Sequence, residues 1–231
     1  MERVSGCAVV IPARDEAGAI AAVVSAARQV VTGDVVVVDN GSRDATASVA
    51  AAAGARVVQC ARRGYGHACF AGLAVLPDAA VVVFVDGDGS MSASDIPRLV
   101  MPIVEGRADV VCGSRSLLAE AGSMPLRQAL GNRVAVALLR VLYGVRLTDL
   151  GPYRAVRGST LRGLSMRGSR FAWPAQLLAR AARRGACIIQ IDVGYRQRIA
   201  GRSKVSGNLR GSVEAGVGIV ATLLWQRIVP R

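Results

Sequence analysis

The chain predicts an α/β fold, a mostly parallel central sheet with helices on both faces. Three observations lead there. Short apolar runs at residues 7–11, 35–38 and 81–85 read as strands buried on both faces. Each is followed by a polar loop and then by apolar residues at helical spacing, and repeated strand–loop–helix units wind a parallel sheet. The polar loops after the first, second and fourth strands then converge on one edge, where open α/β sheets bind ligands.

Taken in order, the first strand (7–11) closes at Pro12-Ala13-Arg14-Asp15-Glu16, and an Ala-rich helix is expected over 17–31. The second strand (35–38) ends in Asp39-Asn40-Gly41-Ser42-Arg43-Asp44. A helix over 46–53 is stopped by Gly54, a C-cap candidate. After a third strand (56–59), Gly64-Tyr65-Gly66-His67 turns into a helix reaching 76. Next come the 81–85 strand and a helix over 95–105, with Ser94 a candidate cap and Pro97 near its start. A strand over 109–113 delivers Ser114-Arg115 to the ligand edge. A long apolar helix over 126–145 carries Arg127, Arg133 and Arg140. The turn Thr148-Asp149-Leu150-Gly151-Pro152-Tyr153-Arg154 leads into Ala155-Val156. A helix over 171–184, a strand over 187–193, a basic loop over 196–204 and an apolar helix over 208–231 complete the chain.

The strand ending in Asp86-Gly87-Asp88-Gly89-Ser90 carries the chemistry. Glycine permits a sharp turn and close approach to a ligand. Two hard oxygen donors suit a divalent cation that keeps some waters and grips a diphosphate; the plainer reading is a solvated acidic turn. An EF-hand loop is excluded, because Met91 and Pro97 stand where its glycine and bidentate Glu belong. No G-x-G-x-x-G follows the first strand and no P-loop occurs, which disfavours a dehydrogenase or P-loop enzyme.

The 231 residues, 52% apolar and 4% aromatic, build a core of Ala, Val, Leu and Ile. That length needs no disulfide or metal staple for stability. Five cysteines without a C-x-x-C pair point to reduced thiols in the cytosol. The net charge of +13 implies anionic partners. A nucleic-acid module fits poorly: the chain lacks aromatic stacking runs, helix-turn-helix and zinc spacings, and such a role leaves the carboxylates unexplained. The apolar run before Pro12 is too short and wrongly flanked for a signal peptide. No window reaches the ~18 apolar residues of a spanning helix. The expected location is cytoplasmic or peripheral on the cytosolic face of a membrane.

With these pieces in place the sequence resembles the family 2 glycosyltransferases of the GT-A nucleotide-diphospho-sugar transferase fold, and within them the dolichyl- or polyprenyl-phosphate sugar transferases. The resemblance spans nearly the whole chain. It rests on Ile11-Pro12-Ala13-Arg14-Asp15-Glu16, Val38-Asp39-Asn40-Gly41-Ser42 through Asp44, Asp86-Gly87-Asp88, Gly113-Ser114-Arg115, Thr148 through Arg154, and Arg198-x-x-Gly201-Arg202-Ser203-Lys204. It implies a nucleotide-sugar donor held by Pro12, Ala13, Arg14, Glu16 and Asp39, with Asp86, Gly87 and Asp88 at the diphosphate. Asp86 and Asp88 would hold Mg²⁺ or Mn²⁺, and Arg115, Arg202 and Lys204 would surround the phosphates and acceptor. Asp88, Asp149, Arg115 and Arg202 are the implied catalytic set, with inversion at the anomeric carbon. Asn40 stands where many relatives have a second Asp. The implied division is a catalytic domain over 1–211 and a C-terminal apolar, basic helix over 212–231.

Some alternatives stay open in the sequence. A lipid phosphate acceptor is already anionic, whereas an alcohol needs a carboxylate to take its proton; Asp149 is the candidate base, or else a turn-forming Asx residue. His67 fits a metal ligand, a phosphate contact or a helix-start residue. Residues 215–225 run almost wholly apolar, which at ~1.5 Å per residue reaches about half of a ~30 Å hydrocarbon core. That segment suits an interfacial helix with Trp225 at headgroup depth, with helix 126–145 as the other half of a lipid-facing groove. It equally suits core packing or a homo-oligomer contact. The acceptor is accordingly polyprenyl phosphate or a soluble small molecule.

Overall fold

A computed structural model describes residues 3–115, 118, 126–166, 172–200 and 209–228. The elements are β1 (Cys7–Ala13), α1 (Ile20–Val30), β2 (Val35–Asp39), α2 (Thr46–Ala52), β3 (Arg56–Gln59), α3 (Tyr65–Ala74), β4 (Val81–Phe84), α4 (Ile96–Val104), β5 (Val110–Ser114), α5 (Leu126–Tyr143), β6 (Arg154–Arg157), α6 (Gly158–Gly163), α7 (Trp173–Arg183), β7 (Ile188–Asp192) and α8 (Leu209–Ile228). They form a seven-stranded sheet in the order β3-β2-β1-β4-β6-β5-β7.

Among the described strands, the sheet pairings are parallel except those of β6, which runs antiparallel to β4 and β5. Alternating side chains of β1 and β4 enter opposite cores, as strand geometry requires. Val9, Ile11 and Val83 pack with α1 and α4 on one face. Val10, Val82 and Phe84 pack with α3 and α7 on the other, where α5 and α8 also lie. Phe84 meets the buried Trp173 edge-on, with ring centroids 4.7 Å apart.

Several expectations change in detail. β1 runs on through Pro12 and Ala13, which pair in register with Val38 and Asp39; both residues belong to the strand, not to the loop after it. Ser94 caps nothing: it sits in a 3₁₀ turn (Ala93–Asp95) and its hydroxyl pairs with that of Ser92. Asp95 occupies the start of α4, and its carboxylate accepts from Arg98 and the Gly194 N–H. Gly54 does end α2, with φ of +89°. β6 and α6 are additional elements.

Candidate active site

The loops after β1 and β2 are laced into one unit. The N–H groups of Asp15, Glu16 and Ala17 donate to Ser42 Oγ, Thr46 Oγ1 and Asp44 Oδ2 at 3.0, 2.8 and 3.1 Å. The Arg43 N–H donates back to Asp15 Oδ1 at 2.8 Å. Asp39, buried at the end of β2, accepts from the Ser42 N–H at 3.0 Å and from the Ser42 hydroxyl. Asn40 donates through Nδ2 to the carbonyls of Cys60 and Arg62 and accepts the Gly64 N–H. An amide can do both and a carboxylate cannot, which is a physical reason for Asn at this position. The buried Arg14 Nε reaches Asp15 Oδ2 at 3.7 Å, an ion pair too long for a hydrogen bond.

β4 delivers Asp86, Gly87 and Asp88 beside this unit. A Cβ on Gly87 would lie 3.2 Å from that of Ala13 and 3.4 Å from the Pro12 carbonyl oxygen, so glycine lets the acidic turn press against the end of β1. Burial, and then the negative charge of Asp88, push the Asp86 carboxyl up to about 7, against the pull of Arg115, Arg154 and Arg198. Burial also acts on Asp88, but hydrogen bonds from Ser90 and Arg198 hold it below the usual carboxylate range.

A strap formed by residues 195–200 crosses this turn. Tyr195 bridges to Met91, and the N–H groups of Arg196 and Ile199 donate to the carbonyls of Ser90 and Asp88, both at 3.0 Å. Arg198 Nη2 lies 2.7 Å from Asp88 Oδ2 and 3.4 Å from Glu16 Oε1, joining β1 and β4 across the cleft. Its Nη1 is buried without a partner among the described residues.

At the end of β5, Arg115 and Asp149 form a buried bidentate pair, Nε–Oδ2 2.7 Å and Nη2–Oδ1 2.8 Å, and the Arg115 N–H adds a bond of 3.0 Å to Oδ2. Fork-to-fork contacts of this kind are strong and directional. The guanidinium also stacks 5.1 Å from the Tyr195 ring centroid. Although burial opposes its charge, the bond to Asp149 raises its pKa.

The structure thus brings Pro12, Ala13, Arg14, Glu16, Asp39, Asp86, Gly87, Asp88, Arg115 and Asp149 to one edge of the sheet. Arg202 and Lys204 lie outside the described residues. His67 sits half-buried in the first turn of α3, its pKa lowered by burial and by Arg62. Sequence reasoning missed Arg198 as a site cation, although it opens the quoted basic motif. It also missed the Tyr195 ring and Arg154, a buried guanidinium bonded to the carbonyls of Gly151, Pro152 and Pro174.

Among the described residues no cluster of three or more His, Cys, Asp or Glu side chains forms a metal cage. The Asp86–Asp88 pair still fits a hard cation. Its donors are all oxygen, and both the burial and the Asp88 charge that raise Asp86 are penalties a divalent ion offsets; such ions commonly take only one or two carboxylates and share a phosphate.

The fold and this edge define a GT-A glycosyltransferase. A family model described as "Glycosyl transferase family 2" matches residues 8–119. A Haloferax volcanii protein named dolichyl-phosphate hexose transferase is 33% identical over 224 residues, 96% of this chain and 95% of that one. A Mycobacterium tuberculosis protein named as an uncharacterized glycosyltransferase is 41% identical over 179 residues, 78% of this chain and 81% of that one. The crystal structure of glucosyl-3-phosphoglycerate synthase from M. tuberculosis, in complex with Mn²⁺, UDP and phosphoglyceric acid, superposes with a TM-score of 0.78 at 26% identity, covering 97% of this chain and 79% of that one. The chain belongs to glycosyltransferase family 2.

Proposed function

We propose that the enzyme moves a hexose from a nucleotide sugar, GDP-mannose or a UDP-hexose, to polyprenyl phosphate at the cytosolic membrane face, with inversion at the anomeric carbon. One observation carries the donor half of this reading. The Asp86–Asp88 pair shares its cleft with Arg198, which bonds Asp88 through Nη2 and keeps a buried Nη1 with no hydrogen-bond partner among the described residues, a mixed set suited to a cation and a diphosphate together. Asp39 and the laced loops would hold the nucleoside, and Asp86 and Asp88 would hold Mg²⁺ or Mn²⁺. That ion supplies Lewis-acid stabilisation of the departing diphosphate. Arg198 would stabilise the same developing charge from the protein side, with Arg202 and Lys204 as further cations.

The acceptor half rests on Asp149. Both of its oxygens are committed to Arg115, which makes it a positioning residue for a cation rather than an available base. A site whose carboxylate is already tied to a guanidinium suits a nucleophile that is anionic at neutral pH and needs no base, such as a lipid phosphate. A second reading, transfer to a soluble acceptor, draws on the similarity to the phosphoglycerate-bound synthase; a sugar hydroxyl or glycerate hydroxyl would then need another base.

Incubation with Mn²⁺ and a panel of GDP- and UDP-sugars, with and without polyprenyl phosphate, tests both halves. Metal-dependent product with inverted stereochemistry by NMR is expected. Asp88→Ala should lower kcat by about a hundredfold or more, as loss of a charge-stabilising group does. Full activity in that variant, retention of configuration, or turnover of soluble acceptors alone would overturn the corresponding part.

A further inference from the structure

Helices α5 and α8 pack on each other and on α7, with the Tyr143 hydroxyl donating to the Leu223 carbonyl. Each buries one apolar stripe in the core, through Ala135 and Leu139 on α5 and through Ala215 and Leu223 on α8. Each also exposes a second one. On α5 this comprises Leu130, Val134, Ala137 and Val141, and on α8 Val217, Ala221, Leu224 and Ile228. Both follow steps of four, three and four residues, one helical face. Trp225 stands half exposed beside the second stripe, and Val141 and Ile228 are 79% and 82% exposed. A helix apolar on every side is normally covered on every side, and paired exposed stripes mark an interaction surface.

Charge identifies what covers it. Arg127, Arg133, Arg140, Arg210 and Arg227 lie on these helices against Glu214 alone. Arg133, Arg140 and Arg227 are exposed, and Arg183 of α7 joins Arg227 in acting on Tyr143. A second copy would bring the same cations face to face in a molecule of net charge +13, whereas an anionic bilayer complements them. No helix of the described residues is long and apolar enough to cross a membrane. The face also adjoins the acceptor side of the cleft. Asn132 on α5 accepts the Leu150 N–H at 2.7 Å, gripping the turn that holds Asp149 against Arg115.

We propose that the α5–α8 face lies flat on an anionic phospholipid surface, with Val141, Leu224, Trp225 and Ile228 entering the interface and the arginines at the headgroups. The inference deepens the lipid-acceptor reading and rests on it only for its purpose; binding is measured without turnover. In co-sedimentation, the full chain should pellet with phosphatidylcholine vesicles that contain phosphatidylglycerol, less with phosphatidylcholine alone, and less as NaCl rises. Arg140→Glu with Arg227→Glu should weaken binding by about fivefold per arginine or more, and Val141→Glu with Ile228→Glu should remove it, both with unchanged melting curves. Asp88→Ala should bind like the parent chain. Binding without any transfer to polyprenyl phosphate would uphold the docking face and sink the acceptor reading. Absence of binding to anionic vesicles, or undiminished binding by the Val141→Glu/Ile228→Glu variant, would overturn the proposal. So would a lipid-free dimer in sedimentation velocity that this variant dissolves, which would assign the face to a second copy.

Discussion

At the scale of single residues, the Arg115–Asp149 pair and Asp86 make opposite demands on stability. The pair's side chains are only 4% and 2% exposed, so removing one partner strands a buried charge, at a cost of about 3–5 kcal/mol. Asp149→Ala is therefore expected to lower the urea midpoint and Tm sharply. Asp149→Asn should lower Tm and kcat together without removing an ionisation from the pH–rate profile; a general base would lose that limb and leave Tm nearly unchanged. Asp86 works the other way. Its carboxyl is raised to about 7 by burial and by Asp88, so folding favours its protonated form. Stability from this group is full below the unfolded value near 4 and is lost as pH rises through 7. In chelator, thermal stability should fall between about pH 4 and pH 7, and Asp86→Asn should flatten that fall. Added Mn²⁺ should restore the parent chain and not the variant. A parent melting curve equally stable across that range would contradict the assignment.

Elements meet at positions where only glycine fits. A Cβ on Gly72 of α3 would lie 2.6 Å from Val10 Cγ1 and 3.0 Å from Val38 Cγ2, so the helix seats directly on β1 and β2. Gly72→Ala should cost about 1–3 kcal/mol by overpacking, measured by denaturant midpoint. It should also raise KM for the donor, because α3 follows the 60–64 loop that Asn40 holds. On Gly151 a Cβ would come within 2.9 Å of the Gly113 carbonyl and 3.1 Å of Asp149 Oδ2. Gly151→Ala is expected to disturb the Arg115 pair itself and to reduce kcat more than it reduces Tm. An unchanged kcat in a folded variant would argue against that coupling. The strap is the remaining element-scale device. Its main-chain bonds to Ser90 and Asp88 bring Arg198 to a carboxylate far away in sequence.

Across the whole molecule, one reversed strand organises the side of the cleft that holds the Arg115–Asp149 pair. β6 enters between β4 and β5; Asp149 and Gly151 sit in the turn that reverses the chain before it, and Arg154 opens the strand. The lipid-facing surface proposed for α5 and α8 then lies on the side of the sheet opposite α1, α2 and α4, tied to that turn by Asn132. Much of this was legible beforehand. Apolar runs buried on both faces, the polar loops that follow them and the spacing of the acidic pair derive from local composition, so the parallel sheet and its ligand edge could be read directly. β6 could not be read, because Arg-Ala-Val-Arg carries only two apolar residues and becomes a strand by pairing on both sides. Nor could Asp149's partner: a carboxylate beside Gly-Pro looks like a turn former until the fold sets a guanidinium from β5 against it. For α5 and α8 the sequence showed apolar residues all round, and only packing could decide which stripe was buried and which was left outside. Local chemistry, in short-range patterns, determined the elements and the acidic edge. Pairings between distant residues, which depend on chain path, decided which charges meet and which faces stay open.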